Sequence, residues 1–209
     1  MENIKALKSY FSLLVELFLK QKFVDSKASV YSEKFNHLFI SLMESPINKP
    51  FFSSPTANLH AVNPLFVIAL YKTLESEHIP MNEFTDLVMD VYKIMVKPLL
   101  EKQRKAIQNV KDPWLHFISS TKEGNHKLYG NEYFQMEYAV EDRLRFGFDI
   151  NRCYYYDIFK ANDAIKLAPV MCKYDILLAD NLNEWVRFQR NSTIAAGDPK
   201  CAFRYFKNI

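Results

Sequence analysis

The side chains best suited to chemistry lie in the last third of the chain, between residues 152 and 205. All three cysteines are in this stretch, together with an acid and two arginines at regular positions. Thiols act as nucleophiles, carboxylates accept or orient protons, and guanidinium groups bind substrate carboxylates. We therefore expect a functional site here, and the side chains that we single out for it are Cys153, Cys172, Asp175, Arg190, Thr193 and Cys201.

The spacing of these residues indicates which side chains can meet. Cys172 and Asp175 are three residues apart on a predicted helix, so their side chains share one face. Cys153 follows a predicted strand at the start of a helix, where the helix N-terminus lowers a thiol pKa. Cys201 alternates with two aromatic residues of the last predicted strand, so these three side chains face one side.

A predicted strand over residues 186–190 carries two arginines. Arg187 and Arg190 face opposite sides of this strand, so at most one of them can point into a given pocket. Beyond the strand, Thr193 and the turn to Gly197 bring backbone N–H groups near its end.

Each candidate also has a purely structural interpretation. A free cysteine usually packs as a small hydrophobic side chain, and a threonine before a glycine turn is often only a turn residue. Arg190 can pair with Asp175 or Asp180 across the fold. Their occurrence together in one segment is what favours a site.

The elements that must position these residues change character along the chain. Apolar residues spaced three and four apart predict helices in the first half, and the first of them carries the stripe Ile4, Leu7, Phe11, Leu14 and Phe18. We predict helices over 2–22, 27–44 (capped by Asp25-Ser26), 64–77 (starting at Asn63-Pro64) and from Asn82 onward, with a kink or break at Pro98 and a long loop over 44–63.

After Asp112-Pro113 the period changes to alternation. The sequence predicts a short strand over 114–119, turns at Gly124-Asn125 and Gly130-Asn131, an extended segment over 133–140 and a half-buried strand over 144–150. Two helices over 153–161 and 163–181 and strands over 186–190 and 200–206 complete the chain. The fold class is therefore α+β, with N-terminal helices followed by a mainly antiparallel sheet with helices inserted between strands.

Composition limits the class of protein. With 209 residues, of which 49% are hydrophobic and 15% aromatic, the chain can bury a core as a single domain over 1–209, with a helical part (1–111) and an α+β part (112–209). The formal net charge of +3 is too weak for a nucleic-acid binder, whose basic surface must release counterions from many phosphates.

The compartment and cofactor content follow from what the sequence lacks. The apolar run near the N-terminus is broken by Glu16 without a cleavage site, and no run of about 18 uncharged apolar residues occurs, so we expect neither a secretion signal nor a membrane span. Three cysteines without CxxC spacing predict free thiols in a reducing cytoplasm. We expect no cofactor and no metal; the alternative is a metal held by the thiols and Asp175.

Read together, the motif residues resemble a known family. The pattern Arg-Cys-x-Tyr, Cys-x-x-Asp and Arg-x-x-Thr-x-x-x-Gly-x-x-x-Cys-x-Phe resembles the L-2-amino-thiazoline-4-carboxylic acid hydrolase family of bacteria over about residues 144–206. It is carried here by Arg152, Cys153, Tyr155, Cys172, Asp175, Arg190, Thr193, Gly197, Cys201 and Phe203.

The resemblance implies a hydrolase that opens a small cyclic amidine or thiazoline bearing a carboxylate, by hydrolysis of a C–N or C–S bond. Under this hypothesis Cys172 or Cys153 is the nucleophile, Asp175 is a general base or orienting acid, and Arg190 holds the substrate carboxylate. Thr193 and Cys201 complete the substrate site.

Two questions stay open in the sequence. The motif contains no histidine to activate a thiol, so the fold would have to supply His60, His116 or His126. The alternative function is a non-catalytic domain that binds a small ligand or a partner and uses its cysteines for packing. The sequence is compatible with a homo-oligomer, and for a hydrolase the expected partner is a small-molecule substrate.

Overall fold

The computed structural model describes residues 2–129 and 133–208, with only the backbone described for residues 2–5 and 7. The predicted turn at Gly130-Asn131 and the side chains of Ile4 and Leu7 in the first apolar stripe lie outside the described residues. No helix in the described part of the chain is long and apolar enough to cross a membrane.

The described residues form seven α-helices and a four-stranded antiparallel sheet, which confirms the α+β class. The helices are α1 (Glu2–Lys22), α2 (Asp25–Glu44), α3 (Pro55–Leu74), α4 (Met81–Gln108), α5 (Pro113–Leu128), α6 (Tyr154–Ala161) and α7 (Ala168–Asp180). The strands are β1 (Met136–Glu141), β2 (Arg145–Ile150), β3 (Val186–Gln189) and β4 (Cys201–Lys207).

The backbone divides into two compact units. The first contains Met1–Met95 and Tyr155–Met171, and the second contains Val96–Tyr154 and Cys172–Ile209. The single-domain organisation stays a prediction.

The core of the first unit is an aromatic cluster around α3. Phe11 of α1 stacks on Phe66 of α3 with ring centroids 4.3 Å apart, and the edges of Phe39 and Tyr92 meet the Phe11 ring. Helix α3 is apolar on nearly all sides, and such a helix is stable only when its neighbours surround it. Its residues 64–70 are buried without interruption.

Helix boundaries in the first unit correct two predictions. Helix α3 begins at Pro55 and not at Asn63-Pro64, because the Ser54 hydroxyl accepts the Ala57 N–H at 3.1 Å and proline suits the first turn. The predicted loop over 44–63 is therefore reduced to residues 45–54. Pro64 lies inside α3, where burial of the neighbouring side chains offsets its missing N–H.

The predicted start of α2 was also wrong. Helix α2 begins at Asp25, and its N-cap residue Val24 makes no side-chain hydrogen bond to the helix, so Asp25-Ser26 lies in the first turn. Helix α4 continues through Pro98 to Gln108, so Pro98 does not break it, and a kink at Pro98 stays a prediction.

The predicted strand over 114–119 and the turn at Gly124-Asn125 were also wrong, since both lie within α5. The Asp112 carboxylate accepts the N–H groups of Trp114 and Leu115, each at 3.1 Å, and Pro113 occupies the first helical position. Trp114, Phe117 and Ile118 are buried at helical spacing. A short apolar run fits both the period of a strand and the period of a helix. Here the Asp112 cap and the burial of side chains at helical spacing select the helix.

The sheet of the second unit has the order β1-β2-β4-β3, with all pairs antiparallel. Strand β2 is central, and its residues 146–150 are all buried, in contrast to the half-buried strand predicted. One face is aromatic: Phe148 stacks on Phe203 at 4.8 Å, and Phe188 stacks on Tyr205 at 4.9 Å. The other face carries Asp149.

Asp149 is buried because two cations surround it. Lys200 donates to one carboxylate oxygen at 2.5 Å, and Arg204 lies 2.6 Å from the other. These contacts outweigh the effect of burial and hold the pKa of Asp149 below its usual value. A polar residue can thus occupy a central strand without breaking the alternation of the aromatic face.

Candidate active site

Five of the six predicted site residues meet in the second unit. Cys172 and Asp175 lie on one face of α7, Arg190 directly follows β3, and Cys201 begins β4. Thr193 lies in the segment that joins β3 to β4. We call Cys172, Asp175, Arg190, Thr193 and Cys201 the thiol–arginine cluster.

Arg190 is the centre of the cluster. Its Nη1 is paired with the Asp175 carboxylate, and its Nη2 donates to the Cys172 carbonyl oxygen at 2.5 Å. The guanidinium lies 5.2 Å from the Phe203 ring centroid and 5.8 Å from that of Phe188. Only 6% of the side chain is exposed, so this cation is held almost entirely by protein contacts.

One donor of Arg190 is unused: its Nε is buried and has no hydrogen-bond partner among the described residues. A buried donor without a partner loses the hydrogen bonds it would make in water. Nε is enclosed by protein in this arrangement, so a ligand atom can reach it only when the side chains around it move.

The Asp175 side chain is less enclosed, with 32% exposed. Burial raises the pKa of its carboxyl, and Arg190 opposes this rise without cancelling it. Asp175 is thus a stronger base than a solvated aspartate, and it keeps a path to water.

The Cys172 thiol is enclosed by the cluster. The Thr193 hydroxyl hydrogen-bonds to the Cys172 side chain, and Arg190, Asp175 and Cys201 are its other charged or titratable neighbours. Burial raises the pKa of Cys172 to about 12, and the nearby Arg190 only partly counters this effect. The thiol is therefore protonated at neutral pH.

Cys201 is 6% exposed and receives a backbone donor, because the Ile194 N–H points at its Sγ at 3.2 Å. Burial nevertheless raises the pKa of the Cys201 thiol. Thr193 shapes this segment: its Oγ1 accepts the Ala196 N–H at 3.2 Å, and the turn ends at Gly197 with a φ of 93°. A left-handed φ of this kind favours glycine.

Cys153 lies where the sequence predicted, directly before α6, and is half-buried. Its convergence with the thiol–arginine cluster stays a prediction. The three candidate histidines are distributed over two elements: His60 on α3 shares a hydrogen bond of 2.8 Å with the Tyr155 hydroxyl, and His116 and His126 lie on α5.

Tyr205 was not among the predicted site residues, although its alternation with Cys201 had placed it on the same face. Burial raises the pKa of its hydroxyl, and Asp175 and Arg190 are among its charged neighbours. Phe117 packs on it at 4.9 Å between ring centroids. The signal that could have found Tyr205 was the period of two along β4.

A cavity of about 440 Å³ lies next to the cluster. It is lined by Ile176, Ala179, Asp180, Asn183, Val186, Arg187, Phe188, Arg190 and Asn208. Of the predicted site residues only Arg190 belongs to this lining, so Arg190 is shared between the cavity and the thiols. Arg187 lines the same cavity, so the prediction that at most one of these two arginines reaches a given pocket was wrong, because β3 ends at Gln189 and Arg190 lies beyond it. No group of three or more histidine, cysteine or acidic side chains in the described ranges is arranged to hold a metal.

Fold and site together define an α+β protein with two thiols, a carboxylate and a guanidinium gathered beside an aromatic sheet face. A sequence model of the L-2-amino-thiazoline-4-carboxylic acid hydrolase family matches residues 60–205, which is well over half of the chain. The chain belongs to this family. Comparisons with curated proteins and with solved structures gave no match.

Proposed function

We propose that this protein is a hydrolase that opens a small cyclic amidine or thiazoline carrying a carboxylate. Family membership supports hydrolysis as the class of reaction. The observation that carries the substrate class is the Arg190–Asp175 pair, because it places a buried cation and a basic carboxylate within one hydrogen bond of each other. The cation binds the carboxylate of the substrate, and the basic carboxylate transfers protons.

Arg190 binds the substrate carboxylate under this proposal. Asp175 already occupies Nη1 and Nε is buried, so the incoming carboxylate displaces Asp175. Displacement couples binding to activation, because an Asp175 that loses its cation becomes a stronger base. The pKa of Asp175 is already raised by burial, and the loss of Arg190 raises it further.

Asp175 takes up the proton that is released when the nucleophile adds to the ring carbon between sulfur and nitrogen. It returns this proton to the ring atom that leaves when the C–N or C–S bond breaks. One carboxyl can serve both steps because it begins and ends the reaction ionised.

Cys172 is the proposed nucleophile, with Cys153 as the second candidate. A thiol with a pKa of about 12 is protonated at rest, so its sulfur can attack only as the proton passes to Asp175. Water then hydrolyses the thiol adduct and releases the opened product. The wall of the substrate site on the side of the sheet is formed by Thr193, which contacts the Cys172 side chain, and by Cys201.

Steady-state hydrolysis of L-2-amino-thiazoline-4-carboxylate tests this proposal, with folding checked by circular dichroism. Cys172→Ala should abolish turnover and leave binding nearly intact. Arg190→Met should weaken binding of the anionic substrate by about 2–5 kcal/mol. Lys173→Ala, at the exposed neighbouring position on α7, is the matched control and should behave as the wild type.

The outcomes separate the parts of the proposal. Undetectable hydrolysis by the folded wild type would reject this substrate class. Full activity of a folded Cys172→Ala variant would reject Cys172 as the nucleophile. Full activity of a folded variant that also carries Cys153→Ala would reject the covalent role and assign attack to a water activated by Asp175.

A further inference from the structure

Two arginines line the cavity beside the thiol–arginine cluster, and the protein uses them differently. Arg190 is held by the fold, because it is paired with Asp175, donates to the Cys172 carbonyl oxygen and has only 6% of its side chain exposed. Arg187 lies on β3 and is exposed, and its guanidinium makes no ion pair or hydrogen bond with any residue in the described ranges. The cation that an incoming ligand meets first is therefore Arg187.

A cross-strand contact holds the Arg187 side chain in place and leaves its charge unpaired. Arg187 lies opposite Phe206 of β4 in the antiparallel register, and its guanidinium is 4.5 Å from the Phe206 ring centroid. The face of an aromatic ring attracts a cation, but the ring carries no net charge and does not neutralise the guanidinium. The donors of Arg187 are therefore free to bind a carboxylate of a ligand.

Asp180 is the acid in the same lining. It is the last residue of α7 and is exposed, and it forms no ion pair with Arg187 or Arg190. Because Asp180 opposes the charge of Arg187 without occupying its guanidinium, it weakens the attraction of the cavity for an anion. Removal of Asp180 and removal of Arg187 should therefore change anion binding in opposite directions.

Arg187 is near enough to Arg190 to act on an anion that Arg190 binds. The two residues are three positions apart, so their Cα atoms lie at most about 11 Å from each other. The Debye length is about 30 Å in about 0.01 M salt and about 3 Å in about 1 M salt. An effect of the Arg187 charge on the ligand should therefore be large in dilute salt and small in concentrated salt.

We propose that Arg187 is a specificity-determining residue, which attracts the carboxylate of the substrate into this cavity and toward Arg190. This inference rests on the proposed function for the identity of the substrate. It supplies a route to an enclosed cation, because an anion that displaces Asp175 from Arg190 must first be drawn to the exposed side of the pair. A charge at the rim of a binding site acts chiefly on association and on its salt dependence.

Steady-state hydrolysis of L-2-amino-thiazoline-4-carboxylate at low and high ionic strength tests the role of Arg187. In about 0.01 M salt, Arg187→Gln should lower kcat/KM about fivefold or more, through KM, and the difference should disappear in about 1 M salt. Arg187→Lys keeps the charge and should retain most of the activity. A kcat/KM of Arg187→Gln equal to that of the wild type, or a loss that persists in concentrated salt, would overturn the inference.

Two further variants separate a local effect from a change in net charge. Arg143→Gln removes an exposed arginine outside the cavity lining and should behave as the wild type. Asp180→Asn removes the opposing charge inside the lining and should raise kcat/KM in dilute salt. An Arg143→Gln variant that loses as much activity as Arg187→Gln would overturn the inference, as would an Asp180→Asn variant with lowered kcat/KM.

Binding without turnover distinguishes failure of this inference from failure of the proposed function. Calorimetry with 2-aminothiazole-4-carboxylate, whose aromatic ring resists opening, should show about fivefold or more weaker binding by Arg187→Gln in dilute salt, and the neutral carboxamide should show no change. A folded wild type that does not hydrolyse the thiazoline but binds this carboxylate in an Arg187-dependent manner would reject the proposed hydrolysis and retain the inference. Hydrolysis with binding that does not depend on Arg187, or no binding of the carboxylate by the wild type, would overturn the inference.

Discussion

The Arg190–Asp175 pair should be asymmetric, since removing one partner is not equivalent to removing the other. Removal of one member of a buried pair destabilises a protein chiefly through the charge left behind. Asp175→Ala leaves Arg190, whose side chain is 6% exposed and whose guanidinium stays protonated at any working pH. Arg190→Met leaves Asp175, whose side chain is 32% exposed and can take up a proton.

These exposures give the expected magnitudes. Asp175→Ala leaves a fixed charge with almost no access to water, so it should lower the free energy of unfolding by about 3–5 kcal/mol. Arg190→Met should lower it by about 1–3 kcal/mol, because the remaining carboxylate is partly solvated and methionine fills the vacated volume. Urea unfolding at pH 7 measures both values.

The stability difference between the wild type and Arg190→Met should depend on pH, because Asp175 titrates. Without Arg190, burial alone acts on Asp175, so its folded pKa lies further above the unfolded value. A group with a raised folded pKa stabilises the fold below the unfolded pKa and loses this contribution as pH rises through the folded pKa. The stability difference between the wild type and Arg190→Met should therefore shrink on acidification from pH 7 toward pH 4.

The comparison with Arg190→Lys shows whether charge or geometry matters. Lysine keeps the charge but cannot reach both Asp175 and the Cys172 carbonyl with a fixed fork of donors, so part of the stability should return. An Arg190→Met variant that is destabilised more than Asp175→Ala, or a gap that widens on acidification, would refute this reasoning.

Other changes in the second unit should be equally informative. Gly147→Ala should lower the free energy of unfolding by more than about 2 kcal/mol, since the added Cβ would lie 2.5 Å from the Phe203 carbonyl oxygen in the paired strand. Gly124→Ala should instead raise the free energy of unfolding by about 0.5–1 kcal/mol, because Gly124 lies in a helix with open space around it. Asp149→Asn should lower the free energy of unfolding at pH 7 by about 2–3 kcal/mol, as measured by urea unfolding. Because the folded pKa of Asp149 is lowered, this difference from the wild type should disappear as pH falls below that pKa. A stability difference that persists in acid would contradict the ion-pair assignment. Iodoacetamide at pH 7.5 should modify Cys172 only after unfolding, as read by mass spectrometry, because burial raises its pKa to about 12; rapid labelling in the native state would show an accessible thiolate.

The sequence by itself determined the elements whose pattern is long or strictly alternating. The stripe through Phe11 and Phe18 predicted α1 with its observed bounds, and alternation predicted the strands that became β1, β2, β3 and β4. It also determined that Cys172 and Asp175 share a face, since this depends only on helical spacing. These properties are local, and the backbone period of each element is enough to fix them.

Short or interrupted patterns were decided by tertiary structure. The apolar run after Pro113 satisfied both periods, and the Asp112 cap together with burial of Trp114 and Phe117 selected a helix. Pro64 suggested a helix start and Pro98 a kink or a break, yet both lie inside continuous helices. The free energy gained by burying many apolar side chains exceeds the free energy lost with one backbone hydrogen bond.

The electrostatics of the site were also decided by the tertiary structure. The sequence placed a thiol at 172 and a guanidinium at 190, but it carried no information on how much water reaches them. The fold encloses Cys172 and raises its pKa, and it uses Arg190 first as the partner of Asp175. Desolvation and charge pairing depend on distances between residues far apart in the chain, which only the folded backbone fixes.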